Sequence, residues 1–281
     1  MTLLLDGRLA SQTLCSKLEI NLKNPPHIVL ILVGNHPSSL SYISIKQRMC
    51  RECNIRSTLI HLPEDTSEHQ LLTRIEGLNQ DHDVDGILIQ LPLPKQIDLK
   101  QVTYAIDPSK DVDCFHPINL GKLSLGSIDG FIPCTPQGIL ELLKFYDLDI
   151  QRKEVCILGR STIVGRPLSI LLSLKNTIDA TVTLCHQGTS NFIQHTKKAD
   201  ILISAIGQPQ LIKQEHVKEG AIVIDVGITR QGDKLVGDVD FEDVRPKAQA
   251  ITPVPGGVGP MTVYALLQNT TKAHKQRKAN L

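Results

Sequence analysis

The sequence predicts an α/β fold of two domains, the second a Rossmann-type dinucleotide-binding domain built on a doubly wound parallel sheet. Three observations carry that expectation. Apolar runs such as HIVLILVG and EVCILG lack the polar alternation of a half-exposed sheet, so they read as strands covered on both faces. Segments of helical periodicity separate them, the pattern of parallel strands joined by crossover helices. A turn with glycine at each end, Gly159-Arg160-Ser161-Thr162-Ile163-Val164-Gly165, links one such run to the helix after it.

The elements follow in order. His27–Gly34 is a buried strand ending in glycine, Pro37-Ser38-Ser39 supplies a helix start, and Leu40–Cys53 reads as the helix. Arg56–Leu62 is a second strand. Ser67–Gln80 sets Leu71, Leu72, Ile75 and Leu78 on one helical face. Gly86–Leu93 is a third strand, stopped by Pro92 and Pro94. Pro136–Tyr146 then reads as a connecting helix. Glu154–Gly159, Thr181–His186, Ile201–Ile206 and Ala221–Ile228 read as strands, with helices over Val164–Lys175 and Asn191–Ala199. Beyond the Gly/Pro-rich stretch Pro253–Pro260 a last helix runs to about Lys272, and Lys272–Lys278 reads as its solvated basic end. These boundaries predict one domain over 1–118, joined by the C-terminal helix at about 260–281, and a second over 119–259.

Composition excludes several functions. A net charge of +1 over 281 residues leaves no field to attract nucleic acid or an acidic membrane. The absence of Trp argues against a base-stacking platform. No apolar run is long enough to span a bilayer. The opening MTLLLDG has no basic n-region and is interrupted by Asp6, so no secretory signal is expected and the chain reads as cytoplasmic. Seven cysteines, an odd count in a chain this long, read as reduced thiols. Cys50-Arg-Glu-Cys53 has no partner pair at zinc spacing, so no metal site is expected.

Two groups of residues point to chemistry. In the glycine turn, Gly159 and Gly165 let backbone approach a pyrophosphate, and the following helix offers its N-terminus to it. Ser161 stands where GxGxxG would have its second glycine. Arg160 at the mouth of the turn suits the 2′-phosphate that distinguishes NADP from NAD. The strand Thr181–His186 ends without a carboxylate, which would repel that phosphate. The second group begins with Tyr42 and Lys46, four apart on one helix and so on one face. Gln90 lies within the apolar run Ile87-Leu88-Ile89-Gln90-Leu91, where a buried amide needs partners that Lys46 supplies. Lys110-Asp111-Val112-Asp113 adds two carboxylates. Each residue alone has an ordinary structural explanation; together they read as a polar pocket.

These blocks strongly resemble the bifunctional methylenetetrahydrofolate dehydrogenase/cyclohydrolases over nearly the whole chain. The matching segments are Ser39…Tyr42…Lys46, Gln90-Leu91-Pro92-Leu93-Pro94, Lys110-Asp111-Val112-Asp113, Pro133-Cys134-Thr135-Pro136, Gly159-Arg160-Ser161…Val164-Gly165, Ala180-Thr181-Val182-Thr183, Asp225-Val226-Gly227 and the run from Pro253 to Thr262. The resemblance implies an N-terminal catalytic domain, an active site in a cleft between two domains, NADP as cofactor, a folate substrate and a homodimer paired through the second domain. It implies Lys46 as the catalytic lysine, Gln90 orienting it, Tyr42 holding the folate and Asp113 gripping the pterin. Ser39, Ile89, Leu91, Pro255, Gly256, Gly257 and Gly259 would line the folate pocket. Gly159, Arg160, Ser161, Gly165, Gln187 and Ile228 would hold NADP. Two departures stand out. Cys114 replaces the usual glycine after KDVD, so backbone there is expected to avoid positive φ. Gln187 replaces a serine that in relatives can touch the 2′-phosphate. The implied reaction oxidises 5,10-methylenetetrahydrofolate and hydrolyses the methenyl product to 10-formyltetrahydrofolate, a step in one-carbon supply to purine, methionine and histidine biosynthesis. An amino- or keto-acid dehydrogenase leaves QLPLP and PGGVGP unexplained. A dinucleotide-sensing module leaves the Tyr42, Lys46, Gln90 and Asp113 set unexplained. A dehydrogenase without cyclohydrolase activity stays open, because the pKa of one lysine decides it.

Overall fold

The computed structural model describes residues 1–175 and 177–279, so the end of the expected 260–281 segment lies outside the described residues. The chain opens with β1 (Leu3–Leu4), α1 (Gly7–Cys15), β2 (His27–Val33), α2 (Pro37–Glu52), β3 (Arg56–Leu62), α3 (Glu68–Gln80), β4 (Gly86–Ile89), α4 (Leu99–Ala105) and α5 (Pro117–Ser124). It continues through α6 (Cys134–Phe145), β5 (Glu154–Leu158), α7 (Gly165–Ser173), β6 (Thr181–Cys185), α8 (Phe192–Thr196), β7 (Ile201–Ser204) and β8 (Ile222–Asp225). It ends with β9 (Thr229–Gln231), β10 (Lys234–Val236), α9 (Phe241–Val244), β11 (Ala250–Ile251) and α10 (Val258–Ala279). Two compact units result, one of Leu14–Lys122, Ile128–Cys134 and the chain from Val263, the other of Met1–Thr13, Leu123–Ser127 and Thr135–Thr262.

The first unit is built on a parallel sheet in the order β3-β2-β4. Every residue of the central strand is buried, as its uninterrupted apolar run requires. Val29 and Ile31 pack with Leu71 and Ile75 of α3 and Ile87 of β4. Helix α3 starts on a capping box, in which the Ser67 hydroxyl accepts the Gln70 N–H and the Gln70 side chain accepts the Ser67 N–H. Its carboxyl end is closed by the buried Lys110 amine, which donates to the carbonyls of Leu78, Asn79 and Asp81.

The second unit carries a parallel sheet in the order β1-β11-β8-β7-β5-β6. From β5 the chain goes outward to the edge strand β6 and then returns across β5 to β7. This doubly wound path puts a topological switch point at the carboxyl ends of β5 and β7, where ligands bind in open α/β sheets. No helix among the described residues is long and apolar enough to cross a membrane.

Several expectations change. Residues 1–13 were placed with the first domain, but β1 pairs with β11 and the Gly7 N–H donates to the Gly256 carbonyl, so they belong to the second unit. The third strand ends at Ile89 rather than Leu93. Helix α10 runs through the supposed solvated end, because Asp85, fully buried, accepts from His274 Nδ1 and Arg277 Nε. Cys15 and Cys53 are joined as a disulfide with Cα atoms 5.4 Å apart, whereas all seven thiols were expected reduced; Cys50, one turn before Cys53, is buried and free. Cys114 takes the positive φ it was expected to avoid, at 63°. That conformation is unfavourable for a side chain by about 1–2 kcal/mol. The Cys114 N–H donates to the Asp111 carbonyl and its thiol to the Phe131 carbonyl at 3.2 Å, which hold it there.

Candidate active site

In the first unit, Ser39, Tyr42 and Lys46 lie along α2, spaced three, four and seven residues apart and therefore on one face. Lys46 Nζ donates to Gln90 Oε1 at 2.9 Å, and Gln90 Nε2 donates to the Leu91 carbonyl at 2.8 Å. The fully buried Ser39 hydroxyl donates to that same carbonyl at 3.0 Å. Gln90 follows the last residue of β4, keeps a ladder bond from its N–H to the Ile31 carbonyl and is buried. Tyr42 stands 38% exposed, leaving its ring available to a ligand.

Burial pushes the Lys46 pKa below the ordinary lysine value, and nearby Asp113 partly opposes this. Desolvation outweighs the Asp113 charge. Burial also raises Asp113, against the opposing influence of the Lys46 charge and a hydrogen bond from the Cys134 thiol. The KDVD segment divides its work residue by residue. Lys110 caps α3, as described. Asp111 accepts from the N–H groups of Phe115 and His116 and from Asn119 Nδ2, and burial pushes its pKa up to about 6. Only Asp113 joins Lys46. Its neighbour Val112 is pinned from two sides, its carbonyl accepting from Asn269 Nδ2 at 2.8 Å and from the Cys134 thiol at 3.3 Å.

In the second unit, the turn after β5 fits a dinucleotide. Gly159 has φ +109°, and a Cβ there would lie 2.2 Å from the Ala205 carbonyl oxygen, across the switch point. A Cβ on Gly165 would lie 1.9 Å from the Gly159 carbonyl oxygen, so the turn closes only on glycine. The Ser161 hydroxyl accepts the Val164 N–H at 3.1 Å, which shapes the approach to the α7 N-terminus. Arg160, Ser161 and Gln187 are exposed. Ile228 is 40% exposed. Two buried carboxylates latch the neighbouring loops. Asp225 accepts from the N–H groups of Gly227, Asp238 and Val239, and burial pushes its pKa up to about 7. Asp238 accepts from Ser204 Oγ and from the N–H groups of Ile206 and Gln208. Pro255, Gly256, Gly257 and Gly259 also belong to this unit, on a turn that packs against Gly7; they are not in the unit that holds Lys46.

A model of the tetrahydrofolate dehydrogenase/cyclohydrolase catalytic domain matches residues 5–113, and one of the NAD(P)-binding domain of the same proteins matches residues 133–278. The chain is 52% identical to the bifunctional protein FolD of Aquifex aeolicus (strain VF5), over 100% of this chain and 98% of that one. The chain belongs to the tetrahydrofolate dehydrogenase/cyclohydrolase family. Among solved structures, the bifunctional dehydrogenase/cyclohydrolase of Campylobacter jejuni is similar at 44% identity with a TM-score of 0.90, covering 99% of this chain and 100% of that one. The Trypanosoma brucei dehydrogenase-cyclohydrolase, solved with NADP and an inhibitor, is similar at 35% identity with a TM-score of 0.92, covering 98% of each chain.

Within this tetrahydrofolate dehydrogenase/cyclohydrolase, three contributors to the sites escaped the residue-by-residue reading. Cys134 stands in the PCTP block with no chemical signal of its own, yet its thiol lies against Asp113 and its pKa is driven well above the ordinary thiol range by burial. Asn269 and Asp238 gave no signal, since each lies far along the chain from the residues it holds.

Proposed function

We propose that the chain oxidises 5,10-methylenetetrahydrofolate with NADP and hydrolyses the resulting methenyl compound to 10-formyltetrahydrofolate, with Lys46 as the proton-transfer group of the second step. The observation that carries this is the Lys46 amine. It is held on Gln90, with its pKa lowered by burial despite Asp113. A lysine whose pKa is lowered gives up its proton more readily than a solvated one, and can act as a general base and then as a general acid.

When bound, NADP accepts the hydride that leaves the methylene carbon of the folate. Loss of that hydride is assisted by the folate nitrogens, so the chain's task in this step is alignment. Gly159 and Gly165 leave room for the pyrophosphate, Arg160 meets the 2′-phosphate, and Gln187 and Ile228 flank the cofactor. In the hydrolytic step water adds to the methenyl carbon while Lys46 takes its proton. Lys46 then returns a proton to the ring nitrogen as its bond to that carbon breaks, and the added hydroxyl releases its remaining proton to solvent as it becomes the formyl carbonyl. Gln90 orients the amine. Tyr42 and Asp113 hold the folate ring, Asp113 through the amino-pyrimidinone edge, with Ile89 and Leu91 beside them. Ser39 contributes through the Leu91 carbonyl it fixes.

In this reading the unit of Leu14–Lys122 with the C-terminal helix binds folate, and the unit that carries β5 to β8 binds NADP. The enzyme is read as a cytoplasmic homodimer paired through the second unit; the edge position and half-buried side chains of β6 support that pairing. Parallel steady-state assays with NADP and NAD, following methenyl and formyl products, test the function. Formation of both products with NADP is expected; methenyl product with no catalysed hydrolysis would reduce the enzyme to a dehydrogenase.

A further inference from the structure

We infer that His186 reads the 2′-phosphate of NADP together with Arg160, through a ring N–H that the turn beneath it directs. The inference rests on the NADP site proposed above. His186 follows the last residue of β6, and β5 and β6 run in register to the pair Leu158–Cys185. The Gly159 N–H donates to the Cys185 carbonyl at 2.9 Å. His186 therefore leaves the sheet beside Gly159 and Arg160, at the strand end where Rossmann-type folds read the ribose 2′ position.

The imidazole is fixed by its own turn. The His186 N–H donates to Thr189 Oγ1 at 2.9 Å, and the Thr189 N–H returns to the His186 carbonyl at 2.8 Å. The Gly188 N–H donates to His186 Nδ1 at 3.0 Å. A backbone N–H can only donate, so Nδ1 is the unprotonated nitrogen and the ring proton sits on Nε2. The ring lies close over Gly188, where a Cβ would come 3.2 Å from the ring carbon Cε1. The ring is half-buried, and its one side-chain hydrogen bond among the described residues is the one to Nδ1, which leaves Nε2 to a ligand. The turn His186-Gln187-Gly188-Thr189 holds no carboxylate to oppose an anion.

Arg160 and His186 differ in what they offer. Arg160 brings charge and a fork of donors on a flexible stem. His186 brings one donor already oriented, so little conformational freedom is lost when a phosphate oxygen accepts from it. Gln187 is exposed and must give up its side-chain freedom to do the same. The preoriented imidazole, rather than the neighbouring amide, is therefore the second reader.

Adenosine 2′,5′-bisphosphate and adenosine 5′-monophosphate differ only in the 2′-phosphate, and calorimetric titration of the full chain with each isolates this contact. The unsubstituted protein should prefer the bisphosphate. His186→Ala should weaken the bisphosphate about tenfold, the scale of one hydrogen bond to a charged group, and leave the monophosphate unchanged. His186→Gln, which keeps a donor at similar reach, should recover part of the loss. Equal weakening of both nucleotides by His186→Ala would make the ring a turn support and overturn the inference, as would an unchanged bisphosphate affinity. If the unsubstituted protein shows no preference, the NADP reading falls and takes the inference with it.

Discussion

Gln90 presents its carbonyl oxygen to Lys46 Nζ at 2.9 Å while its amide nitrogen is engaged by the Leu91 backbone at 2.8 Å. The side chain therefore cannot turn its donor face to the amine, and Lys46 always meets an acceptor that is not charged. A glutamate there would stabilise the ammonium; a glutamine positions it and leaves it free to lose its proton.

If Lys46 moves the proton in the hydrolytic step, Lys46→Met should lower the cyclohydrolase rate by roughly 10²–10⁴, the usual contribution of a general acid–base group. Folate binding should persist, because Tyr42 and Asp113 remain. The decay of methenyl-folate absorbance reports the rate and equilibrium dialysis the binding. Decay at the unsubstituted rate would remove Lys46 from the mechanism.

The pH profile tests the balance of forces on that amine. Burial lowers the Lys46 pKa and the Asp113 charge raises it. Asp113→Asn removes the raising influence and keeps the burial. The limb of the cyclohydrolase kcat profile that follows Lys46 should therefore move to lower pH in this variant, at saturating folate. A limb that moves to higher pH, or stays in place, would show that Asp113 and Lys46 do not interact through charge.

Much of this architecture was legible in the sequence. The buried strands β2, β5 and β7 betray themselves by unbroken apolar runs, and the 159–165 turn by its glycines between strand and helix. Lys46 and Gln90 were also legible, one by its spacing from Tyr42 and the other as a lone amide in an apolar run. What stayed hidden depends on distant partners. Lys272–Lys278 has the composition of a solvated helix end, and only Asp85, nearly 200 residues earlier in sequence, shows why it is anchored. Residues 1–13 look like the start of the first domain, yet they join the second sheet because β1 has a free edge of β11 to pair with. Short pieces such as α4, α5 and the β9–β10 hairpin carry too few residues for periodicity to register. Cys114 misleads for another reason. Positive φ is disfavoured for any residue with a Cβ, and the thiol bond to Phe131 that helps hold it there joins residues a single sequence cannot pair.

Arg160 should separate the two dinucleotides. Its exposed guanidinium is the charge expected to meet the 2′-phosphate, a group NAD lacks. Arg160→Ala should raise the KM for NADP by about tenfold or more, since a charge-assisted contact of this kind contributes roughly 1.5–3 kcal/mol. The KM for NAD should change little. Parallel initial-rate measurements with the two cofactors decide it, and equal effects on both would mean that Arg160 supports the turn without reading the phosphate.

Lys110 makes a prediction about stability rather than catalysis. Its buried amine donates to the carbonyls of Leu78, Asn79 and Asp81 at 2.8, 2.8 and 2.7 Å, three groups that the end of α3 leaves without helical partners. Lys110→Met fills the same space and supplies no donor. Leaving buried acceptors unsatisfied costs about 1–3 kcal/mol each, less whatever water recovers, so the variant should lose roughly 2–4 kcal/mol. Because the chain has two units, thermal unfolding followed by calorimetry should show the transition of the unit containing β2 and α3 fall by several degrees, with the other transition in place. Lys110 also precedes Asp111 and Asp113, so loosening this anchor should raise the KM for folate at temperatures well below unfolding, while the KM for NADP stays fixed. An unchanged transition with an unchanged folate KM would show that the three carbonyls find other donors and that the start of KDVD is held by Asp111 alone.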